Sequence, residues 1–197
     1  MRPHLATRRP VAQHFPRTDG LTAHTAREAW PVCYTPAMHP HSQLITDFYS
    51  AFQRRDADGM AACYHPNVEF NDAVFQGLRY AGATSMWRML LERGKDLELT
   101  FSDVQADDRT GRAHWDARYT FSQTGRKVLN RIDATFEFAD GKIVRHTDHF
   151  PFWTWARQAL GPVGFALGWT PLLHNKVRAQ GAAGLRKYMR ERGIQGD

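Results

Sequence analysis

The sequence predicts an α+β fold in which a curved antiparallel sheet wraps around a set of helices. Three observations predict it. Leu44, Ile45, Phe48, Tyr49 and Phe52 recur at helical spacing near the start of the patterned region. Three later runs alternate apolar and polar residues: Leu97/Leu99/Phe101, Trp115/Ala117/Tyr119/Phe121 and Ile132/Ala134/Phe136/Phe138. Turn chemistry separates those runs, at Asp107-Asp108-Arg109-Thr110-Gly111, at Gly125 and at Asp140-Gly141.

Taken in order, Ser42 is placed to cap the first helix. Asp56, Asp58 and Gly59 break that helix, and Met60–Tyr64 makes a second short helical turn. His65-Pro66-Asn67 ends it, because the residue before a proline is pushed out of the helical region. Val68, Phe70 and Asp72 then share one side of a short strand, which sets a carboxylate at the end of an apolar face. Tyr80–Arg93 is amphipathic through Met86, Trp87, Leu90 and Leu91, and Gly94 stops it. After the three long strands, Val144, His146, Asp148 and Phe150 share one face of a last strand. The tail reads as a short aromatic helix (152–160), a Gly/Pro-broken apolar segment (162–173) and a basic helix (176–192).

Residues 1–40 are rich in Arg, His, Pro and Thr without sustained apolar periodicity, and are expected to be disordered. An alternative is that translation starts at Met38 and the preceding segment is spurious. The expected division is therefore 1–40 as an extension, 41–152 as the domain, and 153–197 as a basic helical extension packing on it. The tail's apolar residues require cover. Packing over the open end of the sheet is preferred to a dimer face or a membrane surface.

The net charge of +6 is unevenly placed. Residues 1–40 carry +3 and residues 151–197 carry +5, whereas residues 41–150 carry −2. A groove that tracks phosphates needs positive charge on the folded face, so no nucleic-acid partner is expected. Cys33 and Cys63 lack metal or redox spacing and read as free thiols of a reducing compartment. No apolar run follows Arg8-Arg9, and 159–173 is too short and broken to span a bilayer, so the expected location is cytoplasmic without stable membrane insertion.

Phe48-Tyr49-Ser50-Ala51-Phe52, Asp56-Ala57-Asp58-Gly59-Met60, the run Val68–Phe75, Gly77 before a helix, and Asp140-Gly141-Lys142-Ile143-Val144 occur in a specific order and spacing. In this the chain, over roughly residues 43–152, resembles the nuclear transport factor 2-like superfamily, and within it the SnoaL-like proteins and ketosteroid isomerases. The resemblance implies a cone-shaped, curved antiparallel/mixed sheet around the N-terminal helices. It also implies a pocket for a small hydrophobic molecule. No cofactor is expected, since the chain has no Gly-rich phosphate loop and no convincing metal spacing.

Strand parity supplies a pocket list. Trp115, Ala117, Tyr119, Ile132, Ala134 and Phe136 face inward, joined by His146, Asp148 and Phe150, and Asp72 closes the first strand. An unpartnered buried carboxylate costs several kcal/mol or takes up a proton (~4 kcal/mol for three pKa units), a cost tolerated where function needs it. Asp72, His146 and Asp148 are accordingly the catalytic candidates. Phe48, Tyr49, Met86 and Trp87 from the helices, with Trp115, Tyr119 and Phe150 from the strands, are the candidate walls. The plainer alternatives are that Asp72 caps a turn with Asn71, and that His146 and Asp148 pair with each other and a neighbouring tyrosine or tryptophan.

By the resemblance, Asp72 aligns with the general-base aspartate of ketosteroid isomerases, which lifts a proton alpha to a carbonyl. The rest of that apparatus departs from the pattern. Phe48 stands where those enzymes carry the oxyanion tyrosine, and Trp87 where some carry a supporting one. Asp133, the best match to the second acid, faces outward on simple alternation. SnoaL-like polyketide cyclases place a catalytic acid/base in the same cavity, and His146 with Asp148 is the pair available for it here. A metal held by His114, His146, Asp148 and His149 is not expected, since His149 lies on the other strand face.

The resulting expectation is a domain that binds a small apolar carbonyl compound of polyketide, steroid or terpenoid type, with cofactor-independent isomerisation, cyclisation or hydration open to it. The rival reading is a non-catalytic ligand-binding or dimerisation module of the same fold, and homodimerisation is compatible with both.

Overall fold

The computed structural model describes residues 38–196. The expected N-terminal extension lies outside the described residues up to residue 37, as does Cys33.

Helix α1 (Pro40–Gln53) has its cap at His39, three residues before the expected cap at Ser42. Pro40 occupies the first turn, where its missing N–H costs nothing, and the His39 ring accepts from the His41 backbone N–H at 3.2 Å. Ser42 is therefore an interior, buried residue of the helix and not its cap. Ile45, Phe48, Tyr49 and Phe52 are buried along α1. The Asp56 side chain accepts from the Gly59 N–H at 2.8 Å and starts α2 (Ala57–Cys63). The chain then enters β1 (Tyr64–Asn71), whose register is irregular between Tyr64 and Glu69, around Pro66.

After a tight turn and Gly77 (φ +62°), α3 (Tyr80–Arg93) leads into an antiparallel meander of β2 (Glu98–Ala106), β3 (Thr110–Phe121), β4 (Arg126–Ala139) and β5 (Lys142–His149). The last hairpin turns on Asp140 (φ +51°) and Gly141 (φ +71°), both in the left-handed region that such two-residue turns require. The first strand joins the edge of the meander in parallel with the last, giving the order β1-β5-β4-β3-β2. The sheet is thus mixed, and the single parallel pairing brings the end of β1, with Asp72, beside the end of β5, with Asp148.

The tail forms α4 (Phe152–Ala159), α5 (Pro162–Leu167) and α6 (Pro171–Glu191). The last of these starts five residues before the expected basic helix, because Thr170 caps it through the Leu173 N–H and Pro171 fits its first turn. It packs along α3: Tyr188 and Arg192 both bond Glu92 (2.7 and 2.6 Å), while Arg178 donates to the Ala73 carbonyl at 2.9 Å. One apolar cluster fills the space between α1–α3 and the sheet, and a second forms where Phe152, Trp155 and Ala159 meet Val128 and Leu173.

Candidate functional site

Where these two clusters meet, the side chains leave a cavity of about 320 Å³. Its walls are mainly apolar, with Met86 and Trp87 from α3, Trp115 and Tyr119 from β3, Phe150 after β5 and Trp155 from α4. Space exists partly because the cross-strand pair Ala117/Asn130 is small at this level of the sheet. Helix α6 supplies one side through Val177, Gln180, Gly181 and Gly184. Asp72, Asp148, Tyr119 and Asn130 are among the polar side chains of its lining, with Arg93, Thr120, Ser122, Gln123 and Gln180 also bordering the space.

Asp72 follows the last residue of β1. Its Oδ1 accepts from the backbone N–H groups of Val74 (2.6 Å) and Phe75 (2.5 Å), which caps the turn that returns the chain. Turn-capping and cavity-lining thus coexist in one carboxyl group: Oδ1 is committed, and Oδ2 has no hydrogen-bond partner and is not sealed off. The carboxyl is pushed up to about 7, chiefly by burial against the pull of those two N–H groups, with a smaller upward push from the nearby Asp148 and a downward one from Arg178.

Asp148 projects inward from β5 opposite Ala134, a methyl side chain that leaves it room. Its Oδ1 accepts from Trp115 Nε1–H and from His146 Nε2, both at 3.1 Å, and again Oδ2 has no partner. Behind it, His146 is fully buried, and its Nδ1 lies 2.8 Å from the Tyr64 hydroxyl, which accepts from Trp87 Nε1–H at 2.8 Å. With Asp148 Oδ1 as an acceptor and one proton on the imidazole, these donors and acceptors balance in one way. Trp87 donates to Tyr64, Tyr64 donates to His146 Nδ1, and His146 Nε2–H donates to Asp148. The ring is clamped by Trp87, stacked at 6.0 Å, and by Phe136 at 4.5 Å.

The remaining predicted residues divide cleanly. Met86, Trp87, Trp115, Tyr119 and Phe150 line the cavity. Phe48 and Tyr49 do not: both are fully buried behind it, against His146 and Trp115 respectively, because α1 is enclosed on both of those faces. His146 also stays out of the cavity and reaches it only through Asp148. Asp133 faces outward and bonds His114 Nδ1 at 2.8 Å. Among the described residues no group of three His, Cys, Asp or Glu side chains is placed to hold a metal ion. Cys63 is buried and its thiol is pushed up to about 11 by that burial.

Tyr64, Asn130, Trp155 and the α6 wall were not among the sequence candidates. Tyr64 ends the predicted second helix, and its tie to His146, 82 positions away, left no local signal. Tyr119 has its hydroxyl raised by burial and by Asp72. It accepts from Trp155 Nε1–H at 2.9 Å, leaving its own proton for the cavity.

A second depression of about 520 Å³ lies on the far side of the two carboxylates, bounded by Asn71, Asp133, Thr147 and His149. Asp72, Asp148 and Phe150 border both spaces. The two acids therefore stand between an apolar chamber and a polar surface.

Residues 45–146 match the family model described as SnoaL-like domain. No curated protein matches the chain. Among solved structures, an NTF2-like protein of unknown function from Burkholderia pseudomallei is 19% identical with a TM-score of 0.55, over 62% of this chain and 98% of that one. TerC, co-crystallised with polyporic acid, is 18% identical (TM-score 0.54, 62% and 99%). A protein provisionally assigned as a polyketide cyclase from Xanthomonas campestris is 20% identical (TM-score 0.52, 61% and 96%). Identities this low establish a shared fold and nothing more about chemistry. With a family model covering more than half its length and the same mixed five-stranded sheet, the chain belongs to the SnoaL-like domain family.

Proposed function

We propose that this protein binds a small, largely apolar carbonyl compound in the 320 Å³ cavity and moves a proton on it, with Asp72 as the acid/base. The observation that carries this reading is a pair of carboxylates, each held through one oxygen, whose second oxygens are unpartnered where both side chains line one apolar space. A carboxyl pushed up to about 7 is present in both protonation states near neutral pH, which is what removal and return of a proton require. The volume suits a compact ring system, toward the small end of ordinary ligand sites. That TerC was co-crystallised with polyporic acid is in keeping with this ligand class.

In the proposed step, Asp72 Oδ2 takes a proton from the carbon alpha to the ligand carbonyl, and the C–H electron pair moves toward the carbonyl oxygen. The Tyr119 O–H and the Asn130 amide are the donors available to that oxygen, and Asp72 returns the proton to the same or a neighbouring carbon. Asp148, anchored by Trp115 and His146, raises Asp72 by charge repulsion. His146, Tyr64 and Trp87 are positioning residues in this scheme, holding Asp148 in place. Its opening toward the polar depression gives both carboxylates a route for proton exchange with water.

The test is a thermal-shift and calorimetric screen of cyclic ketones and quinones, followed by alpha-proton exchange in deuterated buffer by NMR. Asp72→Asn keeps the turn-capping oxygen, so it is expected to bind like the native protein while exchange falls by two orders of magnitude or more. Exchange unchanged in Asp72→Asn removes that residue from the chemistry. Binding without exchange by the native protein leaves the non-catalytic binding module.

A further inference from the structure

The tail carries a surface that neither the cavity nor the core explains. From Leu160 to Trp169 the chain reads Leu-Gly-Pro-Val-Gly-Phe-Ala-Leu-Gly-Trp, with no charged or hydroxyl side chain, and folds as α5 and its flanks. Only the glycines of this stretch, Gly161, Gly164 and Gly168, are buried, and Gly164 is pressed against α4. Trp169 and Leu172 are 72% and 75% exposed, Phe165 is 63%, and Val163, Leu167 and Trp153 are exposed as well. They belong together: the Trp153 ring packs 6.0 Å from Phe165 and donates to its carbonyl, and Trp169 Nε1–H folds back onto Ala166. A soluble protein seldom leaves so many large apolar side chains open to water in one place.

The charge around them indicates what covers them. No Asp or Glu occurs from His149 through Arg190, a stretch that holds six Lys and Arg. Arg157 lies over the Trp153 ring at 5.2 Å, the Arg126 guanidinium sits against Gly161 at the start of α5, and Lys176 follows Leu172 by one helical turn. None of these three cations is in an ion pair among the described residues, whereas Arg88, Lys127, Arg145 and Arg192 each have one. An exposed apolar, tryptophan-bearing knob ringed by unpaired cations is complementary to the headgroup zone of an anionic bilayer. A symmetric second copy fits poorly, because an isologous contact centred on the knob brings Arg157 and Arg126 toward their own equivalents.

We infer that residues 153–172 form an interfacial membrane-docking surface. In it the α5 knob enters the headgroup region of an anionic lipid bilayer, and Arg126, Arg157 and Lys176 contact lipid phosphates and carboxylates. This is attachment and not crossing; among the described residues no helix is long and apolar enough to span a membrane. Leu160 and Val177, which border this surface, also line the cavity, so docking sets the chamber beside the apolar phase. The inference does not depend on the proton chemistry proposed for Asp72.

The test is co-sedimentation of the full chain with phosphatidylcholine vesicles, with and without a one-third share of phosphatidylserine, across a salt series. Binding is expected only with phosphatidylserine and is expected to weaken as salt rises. Phe165→Ser with Trp169→Ser should bind at least tenfold more weakly. Arg157→Ser with Lys176→Ser should bind several-fold more weakly and respond less to salt. All these side chains are exposed, so unchanged melting temperatures will show that the variants fold. Equal binding to neutral and anionic vesicles, or variants that bind like the native chain, would overturn the proposal. So would a dimer in analytical ultracentrifugation that the Phe165/Trp169 variant dissociates, since a second copy would then own the surface.

Discussion

Asp72 is a residue whose ionisation the fold resists. Its folded carboxyl is raised from the ordinary value of 3.8 to about 7, mainly by burial. The proton-bound form is therefore favoured by folding: the contribution is fully present below about pH 4 and is lost as pH rises through about 7. Asp72→Asn retains the oxygen that caps Val74 and Phe75 and removes the charge. Its stability relative to the native chain should grow between those limits, reaching roughly 2 kcal/mol above neutrality, about half of what three pKa units imply, because the side chain is partly solvated. Urea unfolding at several pH values measures this; a pH-independent difference would mean that the carboxylate ionises freely. Tyr49 is a second case. Its hydroxyl is the one buried side-chain polar atom among the described residues with no partner, and burial raises it well above its usual range. Tyr49→Phe should be neutral or stabilising by about 1 kcal/mol, since it deletes an unmet hydrogen-bond requirement without opening space. At this scale Asp72, Asp148 and the inward aromatics were legible because strand alternation has a period of two. The Trp87–Tyr64–His146–Asp148 chain was not, because its links are set by how β1, α3 and β5 pack. The same packing places His146 behind Asp148 instead of in the cavity.

At the scale of elements, two glycines of the tail should respond in opposite directions to the same substitution. A Cβ on Gly164 would stand 1.9 Å from the Ala156 carbonyl oxygen, so α5 could not cross α4 as it does. Gly164→Ala should cost about 2–3 kcal/mol or displace the α5 knob. A Cβ on Gly184 meets only the end of Arg93, at 3.6 Å. Gly184→Ala lies inside α6 and should stabilise by about 0.5–1 kcal/mol through helix propensity alone. Thermal melts of the two variants settle both signs, and a stable Gly164→Ala would show that the α4/α5 crossing is not as tight as described. The strands were readable, since turn residues bracket each of them, but α5 was not, because its residues read only as a Gly/Pro-broken apolar segment. The starts of α1 and α6 were not, because prolines at their first turns moved both boundaries outward from the periodic apolar pattern. Nor did the sequence reveal that α6 would furnish a cavity wall. Gly181 is what lets the helix approach the turn that carries Asp72, since a Cβ there would stand 2.7 Å from the Val74 side chain.

For the described residues as a whole, the proposed function rests on a packing compromise. The helices and sheet exclude water from most of the interior, yet the two apolar clusters stop short of each other and leave a chamber bordered by acids. Fold and family were readable from the order of weak motifs, because that order reflects the sheet topology the chain must form. The chamber was readable only in part, because its size depends on what the tail does not fill. If the chamber is the working site, Trp115→Phe should lower the proposed proton-exchange rate more than ligand affinity, since it removes a donor to Asp148 while keeping the apolar wall. An equal loss of affinity and rate would assign Trp115 to binding alone.

The central claim is a proton-accepting carboxyl held in an apolar chamber. It is tested most directly by carbon-13 NMR titration of the aspartate side-chain carboxyls, with Asp72 assigned by its absence in Asp72→Asn. A midpoint near 7 that moves when an apolar ketone is added is the result the account predicts. A midpoint near the ordinary aspartate value, indifferent to ligand, would contradict it.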